Sequence, residues 1–174
     1  MDEWVIKQNA LQADTIIAID PDVDKNGLAV LSMETKRVSV FALPFAECFS
    51  RVTGIVNASA GKKVIVLIEG GWLNQSNWHF SYADNRTKCA AIGRKVGMNH
   101  QCGIDMLAML KHFGVDAYEV KPLEKHWQGR ERKITQEEIT QFIPDLPKRM
   151  NQEERDAALI AWVYAGFQIK LKTI

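Results

Sequence analysis

TIIAIDPDVDKNGLAVL, residues 15 to 31, is the stretch on which the fold turns. Thr15 to Ile19 are apolar or β-branched without alternation, the composition of a strand covered on both faces, and the run stops abruptly at Asp20. Pro21 ends the strand, Asn26 and Gly27 carry hairpin-turn chemistry, and Leu28 to Met33 is apolar again. The spacing predicts a β-hairpin with a partly buried carboxylate beside its loop. Asp22 and Asp24 follow within four residues of Asp20, so the loop needs a cation or a basic group, or else it is simply an acid-rich, solvated turn. Both readings stand for this stretch taken alone.

Later segments repeat the pattern. Arg37 to Leu43 alternates as a third strand, which makes an antiparallel meander, and Pro44 opens a helix carrying Phe45, Cys48, Phe49, Val52 and Val56 toward Gly61. Lys63 to Ile68 is a second fully apolar strand, and it too ends in an acid, Glu69, followed by Gly70 and Gly71, which let something approach the backbone. Two buried strands of one sheet, each delivering a carboxylate at its carboxyl end, set those acids side by side. Trp72 to Ala83 reads as a polar and aromatic loop that includes Trp78, His79 and Tyr82. A long helical pattern runs from Asp84 or Asn85 to Phe113, with a break expected near Gly97 to His100. Arg86, Lys88, Arg94 and Lys95 lie on its first half, and no acid offsets them between Asn85 and Ile104.

Val115 to Val120 is expected as a strand ending at Lys121, and Lys121 to Lys133 as a basic, mobile loop with five Lys or Arg against two Glu. Thr135 starts a capping box with Glu138, so a short helix should reach about Phe142 before Pro144 and Pro147. The final helix is expected from Asn151, its cap, to about Lys170, with Ala157, Leu159, Ile160, Val163 and Tyr164 as packing face. Residues 1–14 read as a short N-terminal extension, about one helical turn, with Trp4 as its packing anchor, ahead of one domain over 15–174.

With 174 residues, 47% apolar and 25% charged, the chain has the size and composition of one globular domain. Its formal net charge of +1 means that any polyanion site must come from local clustering. Cys48, Cys89 and Cys102 form no zinc or disulfide pattern and fit free thiols in a reducing cytoplasm. Neither a signal peptide nor a membrane-spanning run is evident, so a cytoplasmic protein with no membrane partner is expected.

Glu153 and Asp156 stand three apart, so on a helix they share a face and aim at a common point. Packed against the first strand, that face would gather Asp20, Glu69, Glu153 and Asp156 around one site, and four carboxylates cannot stay ionised together uncompensated. Oxygen-only donors favour Mg²⁺, with Mn²⁺ able to substitute. Two such ions about 4 Å apart are the standard device for phosphodiester cleavage.

IIAIDPD at 16–22, VLIEGGW at 66–72, EVKP at 119–122 and ERDAALIAW at 154–162 resemble, in order and spacing, the motifs of the RuvC family of Holliday-junction resolvases. The resemblance spans about residues 15 to 168 and implies an α/β, RNase H-like fold, a mixed central sheet of about five strands flanked by helices. It further implies a structure-selective endonuclease on branched DNA, using two metal ions held by Asp20, Glu69, Glu153 and Asp156, with Glu153 standing where the family usually has Asp. Lys121 and Lys133 match two family lysines that stabilise charge near the scissile phosphate. Trp72 falls where the family stacks an aromatic residue on unpaired bases, although a tryptophan capping the core is an equal reading. Phosphate contacts are expected from the basic stretches 86–95 and 121–133, through Arg86, Lys88, Arg94, Lys95, Lys125, Arg130 and Arg132, unless these are solvated faces. A homodimer built on the long helices would match the symmetry of a four-way junction. The alternatives are an RNase H-like nuclease for flaps, RNA or RNA/DNA hybrids, and a non-catalytic nucleic-acid-binding domain of the same fold. A kinase or ATPase lobe would need two lobes, for which the chain is too short.

Overall fold

The computed structural model describes residues 2–74 and 85–171. Trp78, His79 and Tyr82 lie outside the described residues. The central sheet is built from β1 (Thr15–Asp20), β2 (Asn26–Ser32), β3 (Val38–Leu43), β4 (Val64–Glu69) and β5 (Ala117–Val120). Their order across the sheet is β3-β2-β1-β4-β5. The β1, β2 and β3 strands are antiparallel neighbours, whereas β4 and β5 run parallel to β1. The α-helices among the described residues are α1 (Glu3–Leu11), α2 (Phe45–Ala58), α3 (Arg86–His112), α4 (Gln136–Ile139) and α5 (Gln152–Tyr164). This is a mixed five-stranded α/β sheet flanked by helices, consistent with the RNase H-like arrangement expected from the sequence.

Alternation along the buried strands assigns each residue to one of two cores. Ile16 and Ala18 of β1, with Ile65 and Leu67 of β4, face α1 and α5; Ile17, Ile19, Val66 and Ile68 face α2 and α3. Each fully buried isoleucine in this double layer contributes about 1.5 to 3 kcal/mol, which offsets the cost of placing acids at the strand ends. By the same parity, Asp20 and Glu69 belong to the α5 side.

Several boundaries differ from the sequence expectations. Asn26 and Gly27 are not the hairpin turn: both are buried in β2, where Asn26 pairs with Leu43 and Gly27 stands opposite Asp20. The glycine serves packing, because a Cβ there would collide with the carbonyl of Glu153 in the first turn of α5. The long helix is continuous through Gly97 to His100. Gly97 has open space around it, so it costs helix propensity without forcing a kink. The last helix stops at Tyr164, short of Lys170, with Gly166 at φ 70° just beyond it in the left-handed conformation that closes helices. The capping box of Thr135 and Glu138 forms, but α4 is a single turn that ends before Phe142. At the other end, α1 spans nine residues, and it packs through Ile6 and Ala10 while Trp4 is 66% exposed. The basic loop is anchored: Trp127 is buried, and the N–H of Gln128 donates to the Glu138 carboxylate at 3.1 Å.

Gly27→Ala should destabilise the protein by on the order of 3 kcal/mol, since α5 has to be pushed off β2. Gly97→Ala, with nothing near its Cβ, should instead stabilise by about 0.5 to 1 kcal/mol. Urea unfolding of both variants checks the pair.

Candidate metal and phosphodiester site

Asp20 closes β1 and Glu69 closes β4, and the register Ile19 to Ile68 makes them neighbours on parallel strands. Both point to the side of the sheet covered by α5, whose Ala157, Ala158 and Ala161 are fully buried and allow close approach. Asp156 is delivered by the first turns of α5, a helix started by the capping box of Asn151 and Glu154. Glu69 and Asp20 stand close enough for their carboxyls to act on one another.

The electrostatics follow from this crowding. Burial, then the charges of Glu69 and Asp156, push Asp20 well above the ordinary carboxylate range, against the pull of Lys133. Glu69 is raised by burial and then by Asp156, while Lys125 and Lys133 oppose the shift. Asp156 is raised by burial, and Lys133 and a hydrogen bond from Gln152 draw it back. Glu153 stands at the rim: it acts on Asp20 more weakly than Glu69, Asp156 or Lys133 does.

Lys133 is the lysine that reaches the acids directly, with its Nζ 3.9 Å from Oδ2 of Asp156 and side chains only 29% and 18% exposed. The second lysine acting on them is Lys125, not Lys121. Lys121 is exposed and, among the described residues, ion-pairs with none of the four acids. It follows Val120, which faces α5, and so strand alternation carries it toward the opposite side of the sheet. Arg86, Lys88, Arg94 and Lys95 lie on the exposed first half of α3, and Arg130 and Arg132 lie on the exposed tip of the basic loop. None of the six is brought to the acids.

Trp72 is half-buried beneath α3. Its Nε1–H donates to Glu119 at 3.0 Å, its ring meets His100 edge-on at 6.4 Å, and a Cβ on Gly103 would stand 2.5 Å from Cζ3 of the indole. The Gly70-Gly71 pair makes room for the same contacts, because a Cβ on Gly71 would stand 2.8 Å from Nε2 of His100. Asp22 is turned away from the acids, its carboxylate accepting from the Asp24 N–H at 2.9 Å and from Asn99 at 3.0 Å.

Two residues of the site escaped the sequence reading. Gln152 donates to Oδ1 of Asp156 at 2.7 Å, one helical turn away, a spacing that could have been noticed. Arg155 donates to Ile134 O at 3.1 Å, to Gln152 Oε1 at 2.8 Å and to the carbonyl of Met150. It thereby ties the Lys133-Ile134 backbone to α5.

Among the described residues, no three Asp, Glu, His or Cys side chains are drawn around a single point as a finished chelate. The donor chemistry nevertheless fits a hard divalent cation: the converging groups are all carboxylates, they are desolvated, and a cation would offset the charge that burial penalises.

The raised carboxyls also predict a pH dependence for the metal-free protein. Folded-state values above those of the unfolded chain mean that the folded state binds more protons above about pH 4, so this cluster's stability contribution is greatest at acid pH and falls as pH rises. Asp20→Asn should raise the Tm at pH 8 and flatten the decline between about pH 4 and 8 relative to the parent chain. Adding Mn²⁺ to the parent at 100 times its Kd should recover about 2.7 kcal/mol, and thermal denaturation across the pH series measures both effects.

No protein-family model matches the chain, and no curated protein sequence matches it. Among solved structures, it is similar to T. thermophilus RuvC in complex with a Holliday junction substrate, at 17% identity over 87% of this chain and 94% of that one, with a TM-score of 0.45.

Proposed function

We propose that this chain is a divalent-metal-dependent endonuclease that hydrolyses phosphodiester bonds in branched DNA. The observation that carries the reading is the convergence of Asp20, Glu69 and Asp156, three desolvated carboxylates from two parallel strand ends and one helix start, opposed chiefly by Lys133 and Lys125. Such a cluster costs stability and is incomplete as a structural device. The choice of branched DNA rests on the four motifs that resemble the RuvC resolvases.

In this reading Asp20, Glu69 and Asp156 would hold Mg²⁺ or Mn²⁺, with Glu153 contributing from the rim. Divalent ions held there would supply Lewis-acid chemistry for activating water and stabilising a leaving oxygen. The chain's own residues do the remaining work. Gln152 occupies Oδ1 of Asp156 and so turns Oδ2 toward Lys133. Lys133 and Lys125 present positive charge where a scissile phosphate would approach the acids, and that placement favours charge developing on its oxygens. Arg130 and Arg132 on the loop tip, and Arg86, Lys88, Arg94 and Lys95 on α3, lie on exposed surface and are suited to backbone phosphates farther along the strand. Met98, Ile104 and Met109 are exposed apolar residues on α3, and exposed Phe113 caps its end, which supports pairing of two copies along that helix.

The test is cleavage of a synthetic four-way junction beside linear duplex, flap and RNA/DNA hybrid, with Mg²⁺, with Mn²⁺ and with chelator. Paired symmetric nicks on the junction, lost with chelator and in Asp20→Asn, are expected. Cutting of flaps or hybrids alone would move the substrate while keeping the metal site; binding without any cutting would sink the nuclease reading. Lys125→Ala should slow cleavage on the order of 100-fold, whereas Lys121→Ala should leave the rate within about threefold, single-turnover kinetics being the measurement.

A further inference from the structure

One turn of α3, Asn99 to Gly103, touches both segments that leave the acid-bearing strands. Toward the loop after Asp20, Asn99 uses both halves of its amide: Oδ1 accepts from the N–H of Val23 at 3.0 Å, and Nδ2 donates to Oδ2 of Asp22 at 3.0 Å. Cys102, on the same face, directs its Sγ to Oδ1 of Asn26 at 3.4 Å, at the start of β2. Toward the segment after Glu69, His100 packs on Gly71, and Gly103 receives the ring of Trp72 with Pro21 on its other flank. Pro21 directly follows Asp20, and Trp72 comes three residues after Glu69, so Gly103 lies where the two strand exits meet.

From this geometry we propose that Asn99 is a positioning residue: acting from α3, it holds the loop after Asp20 in register with the Trp72 segment and so sets the approach of Asp20 to Glu69. The proposal rests on the metal-site reading above and adds to it a residue that touches neither acid. Two features set it apart from ordinary core packing. Asn99 is only half-buried, and no α3 residue from Arg86 to Cys102 is buried, so the helix first becomes part of the core at Gly103. The bonds also cross 76 and 77 residues of sequence, joining a helix to a loop that has no other side-chain tether among the described residues apart from Cys102. A partner hydrogen-bonded to a metal ligand typically matters about 10- to 100-fold for metal affinity, and Asn99, acting one step farther out through Asp22 and Val23, is expected at the lower end of that range.

The experiment compares the parent chain with Asn99→Ala in three readouts: thermal unfolding, calorimetric titration with Mn²⁺, and amide hydrogen exchange over segments 21–26 and 70–74. The variant should melt within about 5 °C of the parent. It should bind Mn²⁺ about tenfold or more weakly and exchange faster in both segments. Should Asn99→Ala fail to fold, Asn99→Asp takes its place, since it still accepts from Val23 but cannot donate to Asp22, and the same losses are expected. Unchanged Mn²⁺ affinity, or faster exchange confined to 21–26, would overturn the proposal. A parent chain that binds no Mn²⁺ would instead defeat the metal-site reading; positioning by Asn99 would then stand or fall on the exchange at 70–74.

Discussion

The contact on which the remaining structure depends is the one between the carboxyls of Asp20 and Glu69. Parallel pairing of β1 and β4 with Ile19 opposite Ile68 brings the next residue of each strand out beside the other, on the face that α5 covers. Two acids in that position repel as ions and are poorly hydrated, so they hold together by sharing a proton or by sharing a cation. Asp156, arriving from α5, makes the demand for positive charge larger.

Everything packed around the pair either permits that crowding or compensates it. Small residues permit it: Gly27, Ala18 and Ala29 in the sheet, with Ala157, Ala158 and Ala161 in α5, let the helix sit low enough for Asp156 to reach the strand ends. Compensation comes from the loop between β5 and α4. Buried Trp127 and Ile134 moor that loop, the carboxylate of Glu138 accepts from Gln128 and Thr135, and Arg155 with Gln152 holds Ile134 O. Lys133 is thereby carried to Asp156 by a scaffold of hydrogen bonds rather than by a regular element. A lysine on a free loop would lose most of its effect to solvent and to side-chain entropy.

The opposite side of the sheet is organised by α3. Its second half supplies Met106, Leu107 and Leu110 to the core, while its first half carries basic residues outside that core. Trp72 belongs to this layer. Its N–H is committed to Glu119 and its ring to Gly103, so its place in the molecule is first a matter of packing between β4, β5 and α3.

Much of this was legible in the amino-acid order. Apolar runs stopping at Asp20 and Glu69 mark buried strands with acids at their ends, the patterns beginning at Thr135 and Asn151 mark capped helices, and Glu153 with Asp156 marks a face, because these signals depend on alternation and on hydrogen bonds a few residues long. Other features depended on encounters between distant segments. Asn26-Gly27 has the composition of a turn yet lies in a strand, because α5 needs a position without a side chain there. The choice of Lys125 over Lys121 follows from strand parity and from how the loop is moored, and the link between Asn99 and Asp22 joins groups 77 residues apart. Local chemistry specifies which elements form and where their acids stand. Which cations, amides and rings reach those acids is set by close packing, whose contacts depend on the whole chain at once.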